Sequence, residues 1–335
     1  MNSLNRIINA IVGALLIVVG ALSVWLAREV TPALRISPAL TTAAASPLPY
    51  PSEAVVIEEQ TTSVTAQATA TPTPIVSVPT ANNIYYARAA AQNDVYKTSL
   101  TWTFGGKQQR GWQLYEPLLR EFLNLSDTTD NSDFVVALAT WQGSVGMPPT
   151  GVLDDKTLFE IVKIWQTRRL KQRERPLPDQ LLLAPSNEFW DPARAPELRY
   201  VERNTYNAYK QMVRAAAADK SLQLQTGRDG ELLPSEQRLK IVSAYRSPEY
   251  QARLRAQSPG SGRAGLAVNS PHFTGRALDL YVGGLPVETI DSNRAIQVNT
   301  PVYRWLVKNA GRFGFKPYFY EPWHWEYAPD ETITR

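Results

Sequence analysis

From Ser37 to Asn83 the chain contains no Lys or Arg, and its only acids are Glu53, Glu58 and Glu59. Pro, Thr, Ala and Ser dominate instead. A stretch of this composition cannot bury a core, so it reads as a disordered tether, and the folded part must lie beyond it. As a coil it would span on the order of 40 Å root-mean-square. Upstream, Ile7 to Ala27 is apolar apart from Asn9 and Ser23 and carries no charge. That length can cross a bilayer as a helix, and it exceeds the apolar region of an ordinary cleaved signal. The expected order is a stub at 1–6, a transmembrane anchor at 7–27 and a linker at 28–83. Arg6 on one side and Arg28 and Arg35 on the other leave the anchor's orientation open on charge alone.

The remainder is long enough for two folded units. With 44% hydrophobic and 20% charged residues overall, the chain has the material for a real core. Net charge is +4, and no Lys/Arg run reads as a nucleic-acid stripe. The densest basic stretch, Arg168 to Arg175, is expected to be a solvated helix end. Residues 84–170 read as a small three-helix bundle. Trp112 to Leu125 places Trp112, Tyr115, Leu118, Leu119, Phe122 and Leu125 on one helical face. Phe134 to Trp141 is a second helix, and Asp154 can cap a third that carries Leu158, Ile161, Val162 and Trp165. The prolines of residues 171–197 suggest an irregular connector. Residues 198–335 mix helix and strand. Asn204 can cap a helix running to Ala218, Val302 to Phe313 is a second helix, and Leu239–Ala244, Ala277–Val282 and Tyr318–Tyr327 are strands. The expected class is α+β with an antiparallel sheet.

Histidine and cysteine limit the chemistry. There is no cysteine, and the only histidines are His272 and His324. A transition-metal site here must therefore include a carboxylate. In Ser270-Pro271-His272-Phe273-Thr274-Gly275-Arg276-Ala277-Leu278-Asp279, strand alternation puts Asp279 on the face opposite Leu278 and Leu280. Imidazole and carboxylate suit a borderline dication such as zinc. The second histidine stands in Glu321-Pro322-Trp323-His324. Pro322 offers the bend that would bring Glu321 round beside it.

Two resemblances follow from these residues. Thr140-Trp141-Gln142, Pro149-Thr150-Gly151-Val152-Leu153-Asp154 and Lys156-Thr157-Leu158 resemble the peptidoglycan-binding type 1 module. Ser-x-His-x-x-Gly-x-Ala-x-Asp (Ser270 to Asp279), followed by Glu-x-Trp-His (Glu321 to His324), resembles the paired signature of the D-alanyl-D-alanine carboxypeptidase and dipeptidase family of zinc peptidases. That family shares its fold with the Hedgehog signalling domain. Ser243-Ala244-Tyr245-Arg246-Ser247 is similar to a third family segment, with Ala244 where the family has Gly.

The resemblance implies one Zn2+ bound by His272, Asp279 and His324, with Glu321 as general base. It implies that Arg246 steadies an oxyanion or the substrate carboxylate, and that Ser270 binds substrate. Gln251, Tyr281 and Trp323 are candidate pocket walls, and Glu326 is expected to be a surface carboxylate, the alternative being a partner that backs a metal ligand. The implied partners are peptidoglycan stem peptides, wall glycan through the helical module and the membrane through the N-terminal helix, with no nucleic acid. This substrate would put the stub in the cytoplasm and the catalytic domain outside it. Two rivals are an endopeptidase on the same scaffold and a non-catalytic wall-binding protein with a relic metal site.

Overall fold

The computed structural model describes residues 84–171, 173–258 and 266–329, and all of these fall within one compact unit. The anchor expected at 7–27 and the linker at 28–83 lie outside the described residues. No helix among the described residues is long and apolar enough to cross a membrane.

Residues 84–170 hold four α-helices and a hairpin: α1 (Ile84–Ser99), β1 (Thr101–Phe104), β2 (Lys107–Arg110), α2 (Glu116–Phe122), α3 (Asn131–Ser144) and α4 (Asp155–Thr167). This is one helix and one hairpin more than the expected bundle. The α1 helix escapes a periodicity reading because its buried apolar residues, Tyr86 and Ala89, are few. The cap expected at Asp154 is present, its carboxylate accepting from Thr157 N–H at 2.8 Å. The residues of the Gly-turn motif are structural. Gln142 accepts from Gly151 N–H at 2.8 Å and donates to Thr157 Oγ1 at 3.0 Å. Gly151 has φ +67, and a Cβ there would sit 2.5 Å from Val135, so only glycine fits.

The connector contains β3 (Leu181–Leu183), which pairs antiparallel with β4 (Tyr200–Glu202). Next come α5 (Arg203–Ala218), β5 (Ile241–Ser243), α6 (Pro248–Gln257), β6 (Ala277–Leu280), α7 (Asp291–Val298), α8 (Pro301–Asn309), β7 (Phe315–Pro317) and β8 (His324–Tyr327). The expected mix of helices and antiparallel strands is present, and the main sheet has the order β5-β6-β8-β7. Among the boundaries that differ from expectation, three have a local cause. The α5 helix is capped by Glu202, whose carboxylate takes the N–H groups of Asn204 and Thr205. The first strand starts after Leu239, whose φ of +67 takes it out of extended backbone. Strand β8 starts only at His324, because Tyr318 to Trp323 forms a turn closed by Glu321 N–H to Tyr318 O at 3.1 Å. This is the bend anticipated at Pro322.

One hydrophobic cluster runs through both parts of the chain. Phe319, on the turn just before Glu321, belongs to it. Phe104 of the hairpin meets Phe319 edge-on at 4.6 Å, and Tyr115 and Trp165 lie at 5.3 and 5.7 Å. Each such aromatic pair adds about 0.5–1.5 kcal/mol beyond simple burial. Buried Arg294 ties the same turn down, donating to Tyr320 O at 3.1 Å and to Tyr115 Oη at 3.2 Å.

Candidate metal centre and active site

Strand register assembles the site. Asp279 on β6 lies opposite Ser243 on β5 and opposite His324 on β8, so three polar side chains line up across the sheet. Alternation sends Leu278, Leu280 and Trp325 into the core, where each is essentially unexposed. His272 arrives on a short 3-10 turn, Pro271–Thr274, capped by Ser270 Oγ. Gly275 ends that turn in the left-handed region at φ +68, and a Cβ there would come within 3.0 Å of Glu202 N.

His272, Asp279 and His324 each offer one ligand atom, and these atoms lie within 4.8 Å of one another. His272 Nε2 is 3.3 Å and His324 Nδ1 is 2.8 Å from the same oxygen, Asp279 Oδ1. The far ring nitrogens are both occupied. His272 Nδ1 faces Ala244 O at 2.6 Å, and His324 Nε2 faces Glu326 Oε1 at 3.2 Å. Those partners accept, so each far nitrogen holds a proton, and the converging nitrogens are the ones that a metal would take. Two imidazole nitrogens and a carboxylate oxygen make a donor set that fits a borderline dication.

The electrostatics follow from burial. Desolvation, helped by the neighbouring Arg246, lowers the His272 pKa to about 4, which keeps the ring neutral. Burial also disfavours charge on His324, but hydrogen bonds to Asp279 and Glu326 outweigh it and raise the pKa to about 9. Ligation through Nδ1 therefore competes with a proton. Burial would raise Asp279, yet His272 and Arg246 hold it well below the usual carboxylate range. Glu321 is pushed up to about 8, chiefly by burial.

The ligands open onto a cleft of about 520 Å³. Ser270, Arg246, Glu321 and Trp323 line it together with the three candidate ligands. Arg246 is not free. It donates to Ser243 Oγ at 2.8 Å, contacts Gln251 Oε1 at 3.4 Å and pairs with Asp279 Oδ2. Gln251 sits behind it and does not line the cleft. Tyr281 also lies away from the cleft, with its ring 5.9 Å from Trp190 and its hydroxyl donating to Gly284 O.

Besides Gln251 and Tyr281, two further expectations are corrected. Glu326 is completely buried and accepts from His324, Arg169 and Leu170 N–H. It stands two residues after His324 on one strand, and that spacing puts both on the same face, beneath the metal ligands. The basic stretch is not simply a solvated helix end, because Arg169 reaches Glu326 and forms part of the cleft wall. No local pattern marks Arg169, whose partner is 157 residues away.

No curated protein matches the chain significantly. Residues 198–330 match the VanY family, described as D-alanyl-D-alanine carboxypeptidase. The match covers α5 to β8 and includes all three candidate ligands together with Arg246, Ser270 and Glu321. Over residues 198–330 the chain is therefore similar to the D-alanyl-D-alanine carboxypeptidase family.

Proposed function

We propose that this chain is a zinc-dependent D,D-carboxypeptidase that removes the terminal D-alanine from peptidoglycan stem peptides, on a Hedgehog-like scaffold. The observation that carries this reading is the convergence of His272 Nε2, His324 Nδ1 and Asp279 Oδ1 in the cleft that Glu321 also lines. When bound, zinc would polarise the scissile carbonyl and make water a better nucleophile near neutral pH. Glu321 takes a proton from the attacking water onto its carboxylate and delivers it to the departing D-alanine nitrogen. Its burial raises its affinity for the proton that it takes from water. Arg246 offers a substrate oxygen its Nη1, the nitrogen with the longest contact at 3.4 Å. Ser270 Oγ accepts from His272 N–H at 3.3 Å and keeps its own proton to donate to the peptide.

The anchor at 7–27 and the tether at 28–83 would place the enzyme outside the cytoplasm, within reach of the wall. Residues 84–170 would hold it on glycan, a role supported by the Thr140–Leu158 resemblance. The test is a digest of purified muropeptides with and without a chelator, read by mass. Chelator-sensitive loss of one terminal alanine is the expected result. Cleavage within the stem would make the chain an endopeptidase, and unchanged muropeptides would make it a binding protein.

A further inference from the structure

We propose that Arg169, carried just beyond α4, is a positioning residue of the catalytic centre, so that residues 84–170 complete the site that residues 198–330 begin. It lies outside the residues that match the family. The proposal rests on the metal reading above and deepens it.

Glu326 has no exposed surface. A buried carboxylate that faced only His324 could rotate or take up a proton. The end of α4 prevents both. Arg169 Nε donates to Oε1 at 3.0 Å, Nη2 donates to the same oxygen, and Leu170 N–H donates to Oε2 at 2.8 Å. The arginine is itself held. Its Nη1 donates to Gln166 Oε1 at 3.1 Å, and its guanidinium lies 3.8 Å above the centre of the Tyr318 ring. A planar fork stacked on an aromatic face has little freedom, and lysine could not reproduce it. From Glu326 the constraint passes to His324 Nε2 at 3.2 Å and so fixes which ring nitrogen faces the metal.

A plain ion pair across the same seam provides the contrast. Lys308 meets Asp127 at 2.8 Å, with both side chains partly exposed and neither lining the cleft. Such a pair can hold two parts together without touching the site.

The experiment uses the full chain as Arg169→Met, Arg169→Lys, Asp127→Ala, Glu326→Gln and the Arg169→Met/Glu326→Gln double variant. Zn2+ affinity is measured by competition with a chromophoric chelator. kcat and KM are measured on an acylated peptide ending in D-Ala-D-Ala, and melting temperature is recorded for each variant. Arg169→Met is expected to weaken Zn2+ binding by about 10- to 100-fold and to lower kcat with little change in KM. Arg169→Lys should recover part of both, and Asp127→Ala should leave both unchanged. Arg169→Met should add nothing to Glu326→Gln, because the two act through one contact. Wild-type Zn2+ affinity in Arg169→Met, an equal loss in Asp127→Ala or additive losses in the double variant would overturn the proposal. If Arg169→Met does not fold, Arg169→Lys decides, and wild-type affinity and kcat there would overturn it. A wild-type chain that binds no Zn2+ would overturn the functional reading as well, and that outcome is distinct from the others.

Discussion

Two arginine–carboxylate pairs flank His324, and they are built for different work. Arg246 and Asp279 both come from the family-matched residues, on or beside neighbouring strands. Asp279 turns one oxygen to the two histidines and the other to Arg246. Arg169 and Glu326 instead join opposite parts of the chain, and Glu326 meets His324 from behind. The same residue types therefore serve opposite ends of one imidazole. One carboxylate sits where the metal would bind, and the other holds the proton on the far nitrogen. The difference teaches that a buried ion pair is defined by its third partner.

The largest expected effect comes from breaking the inner pair. Asp279→Ala removes a ligand and leaves Arg246 buried without its charge partner. Unfolding titrations should show a loss of about 3–5 kcal/mol, the usual cost of orphaning a buried charge. Zn2+ binding should disappear with it. An unchanged titration would mean that Arg246 finds water or another acid.

Glu326→Gln should be milder, because the amide oxygen can still accept from His324 Nε2. The loss expected is about 10-fold in Zn2+ affinity, with the fold intact. If Glu326→Gln abolished zinc binding as Asp279→Ala does, the distinction between the two pairs would collapse.

Acid stability sharpens the same point. Burial would raise the Glu326 pKa, but hydrogen bonds from His324 and Arg169 and their charge bring it to about 2, against an ordinary 4.5. The folded pKa is depressed, so the stabilisation is complete above 4.5 and is lost as pH falls from there towards about 2. Melting temperature of the chelator-treated protein should fall over that window. Glu326→Gln should flatten that limb, and superimposable curves would contradict the assignment. The smallest effect belongs to Asp127→Ala at the exposed seam, about 0–1 kcal/mol in unfolding with no change in zinc affinity.

The candidate ligands were legible because their signals are local or periodic, whereas the pairing of Arg246 with Asp279 was not, since no spacing links residues 33 apart. Two histidines without cysteine force a carboxylate into any metal site. Strand alternation places Asp279 opposite Leu278, and Pro322 announces the bend before His324. Glu326 was within reach of the same alternation, since it follows His324 by two. The hairpin also carries a signal, with Gly105 and Gly106 at φ +58 and +79 joining β1 to β2. Arg169 was not legible. Its meaning depends on Phe104, Tyr115 and Trp165 packing around Phe319, which brings the end of α4 to the sheet. No spacing within residues 168–175 encodes that contact.

In the proposed reaction three ligands hold zinc while Glu321 moves the proton. The direct measurement is zinc content per chain together with D-alanine released from a D-Ala-D-Ala-terminated peptide, for wild type and Glu321→Ala. Both chains should hold one zinc, and only the wild type should release D-alanine above background, a loss of at least about 100-fold for a general base. Wild-type release by the zinc-loaded Glu321→Ala chain would contradict the account.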